Sequence, residues 1–216
     1  MSLTNRLIRG RNVILIVGLA ALMTATAYAD QQDLLKSVGD ALTEGNATKS
    51  QLAATVSSLN ALQATKPGED LRPAYQAYVE NVDKTKQAAE VTKQRVDKMN
   101  ADSATYFSSW KADNEKINNA DLRKVATKRL ENVQKDYQKS VASLQAASAK
   151  FTPFISDLSD IQTALSNDLT ANGLKAAKDV FKKANKAHGE VQKNIDAAIQ
   201  HLTATQAALA PVAGGK

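Results

Sequence analysis

Apolar residues recur at alternating spacings of three and four along residues 70–117, and this repeat strongly restricts the folds open to the chain. A 3.5-residue repeat sustained over this length is typical of a coiled coil or a helical bundle. At ~1.5 Å per residue, the segment predicts a helix ~70 Å long, for which a globular α/β domain has little use. The positions that carry the repeat, called the seam below, are Tyr75, Tyr78, Val82, Thr85, Ala89, Thr92, Val96, Met99, Ser103, Tyr106, Trp110 and Ile117.

The next segment, residues 121–169, repeats the pattern, and its seam positions include Phe151 and Ile155. It is separated from the first by residues 118–121, whose Asn and Asp side chains are typical of helix caps and turns. Because the turn is short, we expect the two long helices to be antiparallel neighbours. Pro153 lies inside the second helix and predicts a kink near 149–153. It does not predict a domain boundary, because the apolar repeat resumes directly after it.

Residues 171–209 continue the alternation without interruption, which predicts one further helix. Thr170 or Asn172 is placed to cap its start, and Pro211 marks its end.

Residues 31–64 carry the repeat less regularly, at Leu35, Val38, Leu42, Leu52, Val56, Leu59 and Leu62. Gly45-Asn46 interrupts it, and Thr48 and Gln51 have the spacing of a capping box. We therefore expect the first helix to be broken in two near this point.

Together these segments predict an all-α fold, an elongated antiparallel helical bundle or coiled coil of about four long helices. The hairpin 70–117/121–169 forms its centre, residues 30–210 form one domain, and residues 211–216 form a flexible tail. The chain has 216 residues and 37 alanines, and many seam positions are Ala, Ser or Thr. Such helices approach closely but bury little area, which predicts modest stability and self-association along exposed stretches of seam.

The first 29 residues have the features of a secretory signal peptide. Arg6, Arg9 and Arg11 precede an apolar run over 13–23, and a small-x-small site ends at Ala29 before Asp30. Cleavage between Ala29 and Asp30 predicts a periplasmic product of 187 residues, with a formal charge of +3 instead of +6. The alternative is an inner-membrane anchor, because residues 13–29 just reach the shortest spanning length of ~17 residues.

The absence of cysteine removes disulfides, thiolate metal sites, cysteine nucleophiles and a lipoprotein attachment point. His188 and His201 are the only histidines, and no Glu-x-x-His pair of the kind that holds metals in helical bundles is present. We interpret His188 as a seam residue hydrogen-bonded across the bundle and His201 as a solvated flank residue. With no known catalytic motif, we predict a protein that is not an enzyme and has no catalytic, cofactor-binding or metal-binding residues.

Two residue groups nevertheless merit an interpretation. An aromatic set could line a ligand cleft, although its helical spacing favours a place in the core; it comprises Tyr75, Tyr78, Tyr106, Phe107 and Trp110. A lysine cluster is the candidate interaction surface, for anionic lipid or acidic envelope polymers, against the simpler interpretation of a solvated face. It comprises Lys175, Lys178, Lys182, Lys183 and Lys186. The remaining charge is too dispersed to indicate nucleic-acid binding.

Several of these residues resemble a known family, the bacterial exported proteins grouped as domain-of-unknown-function family 2959. The resemblance covers roughly residues 70–205 and weakens in the first helix. It implies an envelope-located helical coiled-coil protein with no assigned activity, and it carries over no functional residue. Family members often have a lipoprotein cysteine, which this chain lacks. The matching positions are Phe107-x-x-Trp110, Asn119-Ala120-x-Leu122-Arg123, Leu130, Tyr137, Leu144, Phe151-x-Pro153 and Asp168-Leu169-x-Ala171.

Three functions are compatible with these observations. The leading hypothesis is a periplasmic structural or interaction protein that binds an envelope protein or a second copy of itself. The alternatives are a holdase-type chaperone for unfolded clients and a protein that binds membrane surfaces reversibly through amphipathic helices.

Overall fold

A computed structural model describes residues 25–66 and 68–210. These residues form helices joined by short loops, without a strand among them. The helices are α1 (Ala25–Gln63), α2 (Arg72–Glu115), α3 (Ala120–Asn167), α4 (Ala171–Ala176) and α5 (Lys178–Leu209). The all-α prediction is confirmed, whereas most of the predicted signal peptide and the predicted tail lie outside the described residues.

The four long helices form an antiparallel bundle in which each helix packs against two others. α1 packs on α2 and α5, and α3 packs on α5 and α2. Hydrogen bonds at the two ends show that α1 and α5 are antiparallel: Gln31 Nε2 donates to the carbonyl of Leu209 at 2.6 Å, and Asn185 Nδ2 donates to Asn60 Oδ1 at 2.9 Å. The bundle therefore follows the up-down-up-down order that short connections favour.

The closest helix pairs are α1 with α2 and α3 with α5, and the predicted central hairpin of α2 with α3 is less tightly packed. Side-chain size explains the difference. Large aromatic residues hold α2 and α3 apart and bridge them through their hydroxyls: Tyr78 donates to the carbonyl of Leu158 at 2.6 Å and Tyr137 donates to Asn100 Oδ1 at 2.8 Å. Burial raises the pKa of both tyrosines, so these hydroxyls stay protonated donors.

The contact between α1 and α2 is built from small hydroxyl side chains. Thr55 Oγ1 lies 2.6 Å from Thr85 Oγ1, and both residues are fully buried. One heptad away on both helices, Thr48 Oγ1 lies 2.9 Å from Thr92 Oγ1. Threonine hydroxyls that satisfy each other let the two backbones come close without leaving an unpaired polar group in the core.

The predicted break in the first helix is wrong, because α1 continues through Gly45 and Asn46. Asn46 Nδ2 donates to the carbonyl of Leu42 at 2.8 Å, within the helix, and Thr48 bonds across to α2 instead of capping a new helix. A glycine inside a helix costs only ~1 kcal/mol relative to alanine, which the packing of α1 against two neighbours offsets.

The Thr55–Thr85 pair leads to a first test. Thr85→Val keeps the shape of the side chain but removes the hydroxyl, and we expect the free energy of unfolding to fall by about 1 kcal/mol. The double variant Thr55→Val/Thr85→Val should lose less than the sum of the two single variants, because each single variant already removes the one hydrogen bond between the two hydroxyls. Urea unfolding of the four proteins measures this coupling, and strictly additive losses would contradict it.

The core is divided into two clusters along the bundle. One surrounds Phe154, Phe181 and Leu158, and the other surrounds Tyr106, Trp110 and Met99. The aromatic set is core, as its spacing favoured: Tyr78, Tyr106, Phe107 and Trp110 are buried and Tyr75 is partly buried.

The buried stripe is wider than the predicted seam. In α3 the sequence repeat selects Phe151 and Ile155, which are only partly buried, whereas Phe154 between them is 2% exposed. In α1, Leu34 and Ala41 are buried in addition to the predicted positions. Each helix faces two neighbours in a four-helix bundle, so two adjacent rows of side chains point inward where a two-stranded coiled coil needs one.

A capping side chain sets the start of α3, whereas α2 and α5 begin without a side-chain cap. Asn119 caps α3, since its side chain accepts a hydrogen bond from the amide of Leu122 at 3.0 Å. α3 continues through Pro153 to Asn167, as the resumed apolar repeat predicts, while the kink stays a prediction. The final segment is not one helix, because α4 and α5 are separated at Ala177.

Candidate functional site

The five lysines of the predicted interaction surface lie near one end of the bundle, where α1 ends and α2 begins. Lys175 belongs to α4, and Lys178, Lys182, Lys183 and Lys186 belong to α5. We call this end the loop end, because it also contains the connection between α3 and α4.

The structure divides this lysine set by its ion pairs. Lys182 Nζ lies 3.6 Å from Asp179, and Lys183 Nζ lies 3.7 Å from Asp157 of α3. Neither Lys175 nor Lys178 forms an ion pair within the described part of the chain. Lys186 is likewise exposed and without an ion pair in the described ranges, but it lies further along α5, so Lys175 and Lys178 are the unpaired lysines at the junction of α4 and α5.

Lys175 and Lys178 line a cavity of about 670 Å³ at the loop end. The opposite wall comes from the α1–α2 loop and carries Lys66 and Arg72. Three leucines, Leu71, Leu169 and Leu174, add apolar surface to the lining. The cavity thus combines four cationic side chains with apolar walls, on segments about one hundred residues apart in the sequence.

The α1–α2 loop owes its shape to a compact turn. The amide of Glu69 donates to the carbonyl of Lys66 at 3.1 Å, and the amide of Lys66 donates to Glu69 Oε2 at 3.1 Å. Gly68 has a φ of 91°, a left-handed conformation that glycine adopts without the strain imposed by a Cβ atom.

Asp70 joins this loop to the start of α2. Its Oδ1 accepts hydrogen bonds from the Arg72 amide at 3.0 Å and from Arg72 Nε at 2.9 Å. The Arg72 guanidinium lowers the pKa of Asp70, and Asp70 in turn raises the pKa of Arg72. Arg72 is thereby positioned on the cavity wall, with part of its charge neutralised.

The other wall depends on Thr170. Its Oγ1 accepts a hydrogen bond from the amide of Gly173 at 3.1 Å, which confirms one of the two predicted caps, and lies 2.6 Å from Asp168 Oδ1. Gly173 is buried directly against the backbone of Asp168. This tight turn sets the direction of α4 and with it the position of Lys175.

His188 lies on the seam of α5 and is half-buried beside Phe154, with 6.3 Å between the ring centroids. The sequence predicts that His188 forms a hydrogen bond across the bundle. For its Nε2 atom this prediction is wrong, because Nε2 is buried and has no hydrogen-bond partner among the described residues. Burial lowers the pKa of His188, because an apolar environment disfavours the imidazolium.

This burial predicts a pH dependence of stability. Since the pKa of His188 is lower in the folded chain than in the unfolded chain, the unfolded state binds the proton first as the pH falls below ~6.5. The contribution of His188 to stability is therefore present above that pH and lost as the pH falls through the folded-state pKa. His188→Gln should lose less free energy of unfolding than the wild type between about pH 8 and pH 5.

His201 supplies the matched control. It is exposed, as predicted, and its Nδ1 lies 2.5 Å from Ser143 Oγ. His201→Gln should keep the pH dependence of the wild type. If His201→Gln and His188→Gln reduce the pH dependence of the free energy of unfolding equally, burial of His188 is not the cause of that dependence. Over the ranges 25–66 and 68–210, no three His, Asp or Glu side chains cluster in a way that could hold a metal ion.

The predicted cleavage site, Ala29 followed by Asp30, lies within the first turns of α1. Ala29 is exposed, while Asp30 Oδ2 is enclosed without a hydrogen-bond partner in the described chain. Cleavage at this bond stays a prediction. No helix within the described ranges is both long enough and apolar enough to cross a membrane.

Sequence patterns located Lys175 and Lys178 but missed Lys66 and Arg72. These two residues lie in a loop segment outside any helical repeat, and no local signal connects them to residues 171–178. Only the packing of α1 and α2 against α3 and α5 brings the two loops together.

Comparison with protein families gives a match over most of the chain. The model of a protein family described as "Protein of unknown function (DUF2959)" matches residues 22–207. The match includes the first helix, where the resemblance of individual residues is weak. No curated protein and no solved structure matches the chain.

Proposed function

This chain belongs to domain-of-unknown-function family 2959, and from that premise we propose that it is a non-enzymatic structural or protein-interaction protein of the bacterial cell envelope. In this role it acts in the periplasm as a scaffold or adaptor, after removal of the signal peptide. α3 alone has 48 residues, so the bundle is ~70 Å long, which suits a protein that connects separate components.

One stretch of α2 carries the proposal. Residues 86–98 include no buried side chain, although Thr85 before them and Met99 after them are fully buried. The seam continues through this stretch, where Thr92 meets Thr48 of α1. The aromatic contacts between α2 and α3 lie on either side of it. The middle of α2 is therefore the part of the seam that is open to a partner.

The chemistry of this stretch suits another helix. Ala89 and Val96 are half-buried, and charges of both signs surround them, including Glu90, Lys93 and Arg95. Small apolar residues permit close helix packing, and mixed charges select a partner by complementarity. An envelope protein with an exposed helix, or a second copy of this chain, has the required shape.

Membrane-surface binding has less support. The exposed large apolar side chains in the described ranges are far apart in the sequence and occur singly: Tyr28 in α1, Val91 in α2, Val125 in α3 and Val180 in α5. An interfacial helix needs a continuous apolar face to enter the lipid, and isolated residues do not form one.

The proposal is tested by site-specific photo-crosslinking in living cells. A photoreactive amino acid replaces Val91 within the open stretch of α2, and Val125 at an exposed site of α3 serves as the matched control. We expect Val91 to give one reproducible adduct with an envelope protein or with a differently tagged copy of this chain, and Val125 to give none. Identical adducts at both sites, or none at Val91, would contradict the proposal, and a broad ladder of adducts would favour the chaperone hypothesis.

Export is tested separately. The protein recovered from the periplasmic fraction should begin at Asp30. A chain that stays in the inner-membrane fraction and retains residues 1–29 would instead support the anchored alternative.

A further inference from the structure

The cavity at the loop end has the size and lining of a small-molecule site. Its volume of about 670 Å³ lies within the ~300–1,000 Å³ range of ligand pockets. Apolar walls come from Leu71, Leu169 and Leu174, and polar side chains are contributed by both loops. A pocket of this composition accepts a compound that has both an apolar and a polar part.

The charges around the cavity favour an anion. Four cations line it, against the two acids Glu69 and Asp70. Asp70 accepts a hydrogen bond from the Arg72 guanidinium, and Glu69 accepts one from the backbone amide of Lys66. Lys175 and Lys178, on the opposite wall, have no carboxylate partner within ranges 25–66 and 68–210. The lining therefore has a net positive charge, which Lys175 and Lys178 contribute from the α4–α5 side and Lys66 from the opposite wall.

We propose that this cavity binds a small amphiphilic anion, a compound in which one phosphate or carboxylate group is joined to a short apolar chain. Lys175 and Lys178 contact the anionic group, and the three leucines contact the chain. The lysine ammonium group lies on a flexible side chain, so it can contact either a phosphate or a carboxylate group. The inference goes beyond the proposed scaffold function and does not depend on it, since it uses none of the residues in the open stretch of α2.

The turn at Ala177 places the two lysines on the same side. They are three residues apart, at the last turn of α4 and the first residue of α5, and both reach the cavity. Lys182 and Lys183, one turn further along α5, are outside the cavity lining and pair with carboxylates. Of the predicted five-lysine surface, two lysines line the cavity, two pair with carboxylates outside it, and Lys186 does neither among the described residues, which allows a controlled experiment.

The binding test uses the isotope-labelled 216-residue chain and follows the amide resonances of Gly68 and Thr170 by NMR. The probes are dihexanoyl phosphatidic acid, hexanoate, inorganic phosphate and dihexanoyl phosphatidylcholine, each below its micelle concentration. We expect the phosphatidic acid or the hexanoate to shift both amides at lower concentration than inorganic phosphate does. Phosphatidylcholine has the same chains but no net charge, and it should have little effect.

The two charged amphiphiles separate the sources of the anion: stronger binding of phosphatidic acid indicates a phosphate-bearing ligand, and stronger binding of hexanoate indicates a carboxylate. Equal effects of phosphatidylcholine and phosphatidic acid, or no shift with either charged amphiphile, would overturn the proposal.

The variant Lys175→Gln/Lys178→Gln should weaken binding of the better anionic probe by about tenfold or more at low ionic strength. The control Lys182→Gln/Lys183→Gln removes the same charge from the same region and should change the affinity by less than about twofold. Equal losses in the two double variants would show a general charge effect and no site. Circular dichroism verifies that both variants keep the helical fold. The two proposals fail separately: anion binding without any crosslinked partner would support this inference and contradict the scaffold proposal.

Discussion

Phe181→Ala is expected to lower the free energy of unfolding by about 3–5 kcal/mol. Phe181 is 0% exposed and lies in the core cluster at the loop end, together with Phe154 and Leu158. Truncation removes the transfer free energy of the ring and leaves a void. The nearby inward positions include Ala177, between α4 and α5, and Ala184 of α5, whose small side chains are too short to fill it.

The adjacent residue Val180 provides the control for this variant. Its side chain is 44% exposed, so Val180→Ala removes little buried surface and gains helix propensity. We expect a change within about 0.5 kcal/mol. Urea unfolding followed by far-UV circular dichroism compares the two variants, and similar midpoints for both would contradict the assignment of Phe181 to the core.

Gly173→Ala is expected to destabilise the fold by about 1–3 kcal/mol, and by more if the turn cannot relax. A Cβ atom at this position would lie 2.1 Å from the carbonyl oxygen of Asp168, a distance at which the two atoms overlap. The obstructing atom belongs to the backbone, so no rotamer change relieves the contact. The α3–α4 connection would have to open, and the Thr170 cap would be disturbed with it.

Gly189→Ala reverses the sign of the effect. Gly189 lies in the middle of α5, and an added Cβ would meet no atom within 4 Å. We expect a gain of about 0.5–1 kcal/mol, because alanine has the higher helix propensity and reduces the entropy of the unfolded chain. Thermal unfolding of the two variants should move the midpoint in opposite directions; shifts of the same sign would show that local crowding at Gly173 is not decisive.

The two alanine replacements illustrate how far sequence reasoning reaches. Both glycines lie in residues 171–209, whose apolar repeat predicts a single helix. The sequence alone therefore does not show that alanine is tolerated at one position and not at the other. Gly173 is needed because α4 turns back against Asp168, a contact that depends on how α3 ends. Gly189 has no such neighbour, and its backbone follows the ordinary helix.

A similar distinction applies to the candidate site. The spacing of Lys175, Lys178, Lys182, Lys183 and Lys186 predicts a charged face, and the structure keeps these residues near one end of the bundle. Asp157 neutralises part of that face from another helix, and Lys66 and Arg72 add charge from another loop. Contacts between segments far apart in sequence leave no local pattern, so this redistribution was not predictable.

The amino-acid sequence by itself determined the helical class, the long helices, their antiparallel order and most of the buried positions. These features depend on local quantities: the period of the apolar residues, the cap-forming side chains and the length of the turns. Tertiary structure alone decided that α1 passes unbroken through Gly45, that α1 pairs closely with α2, and that two loops line an open cationic cavity. Each of these outcomes depends on packing energies between helices, which exceed the ~1 kcal/mol preferences of single residues and are not encoded by any one segment.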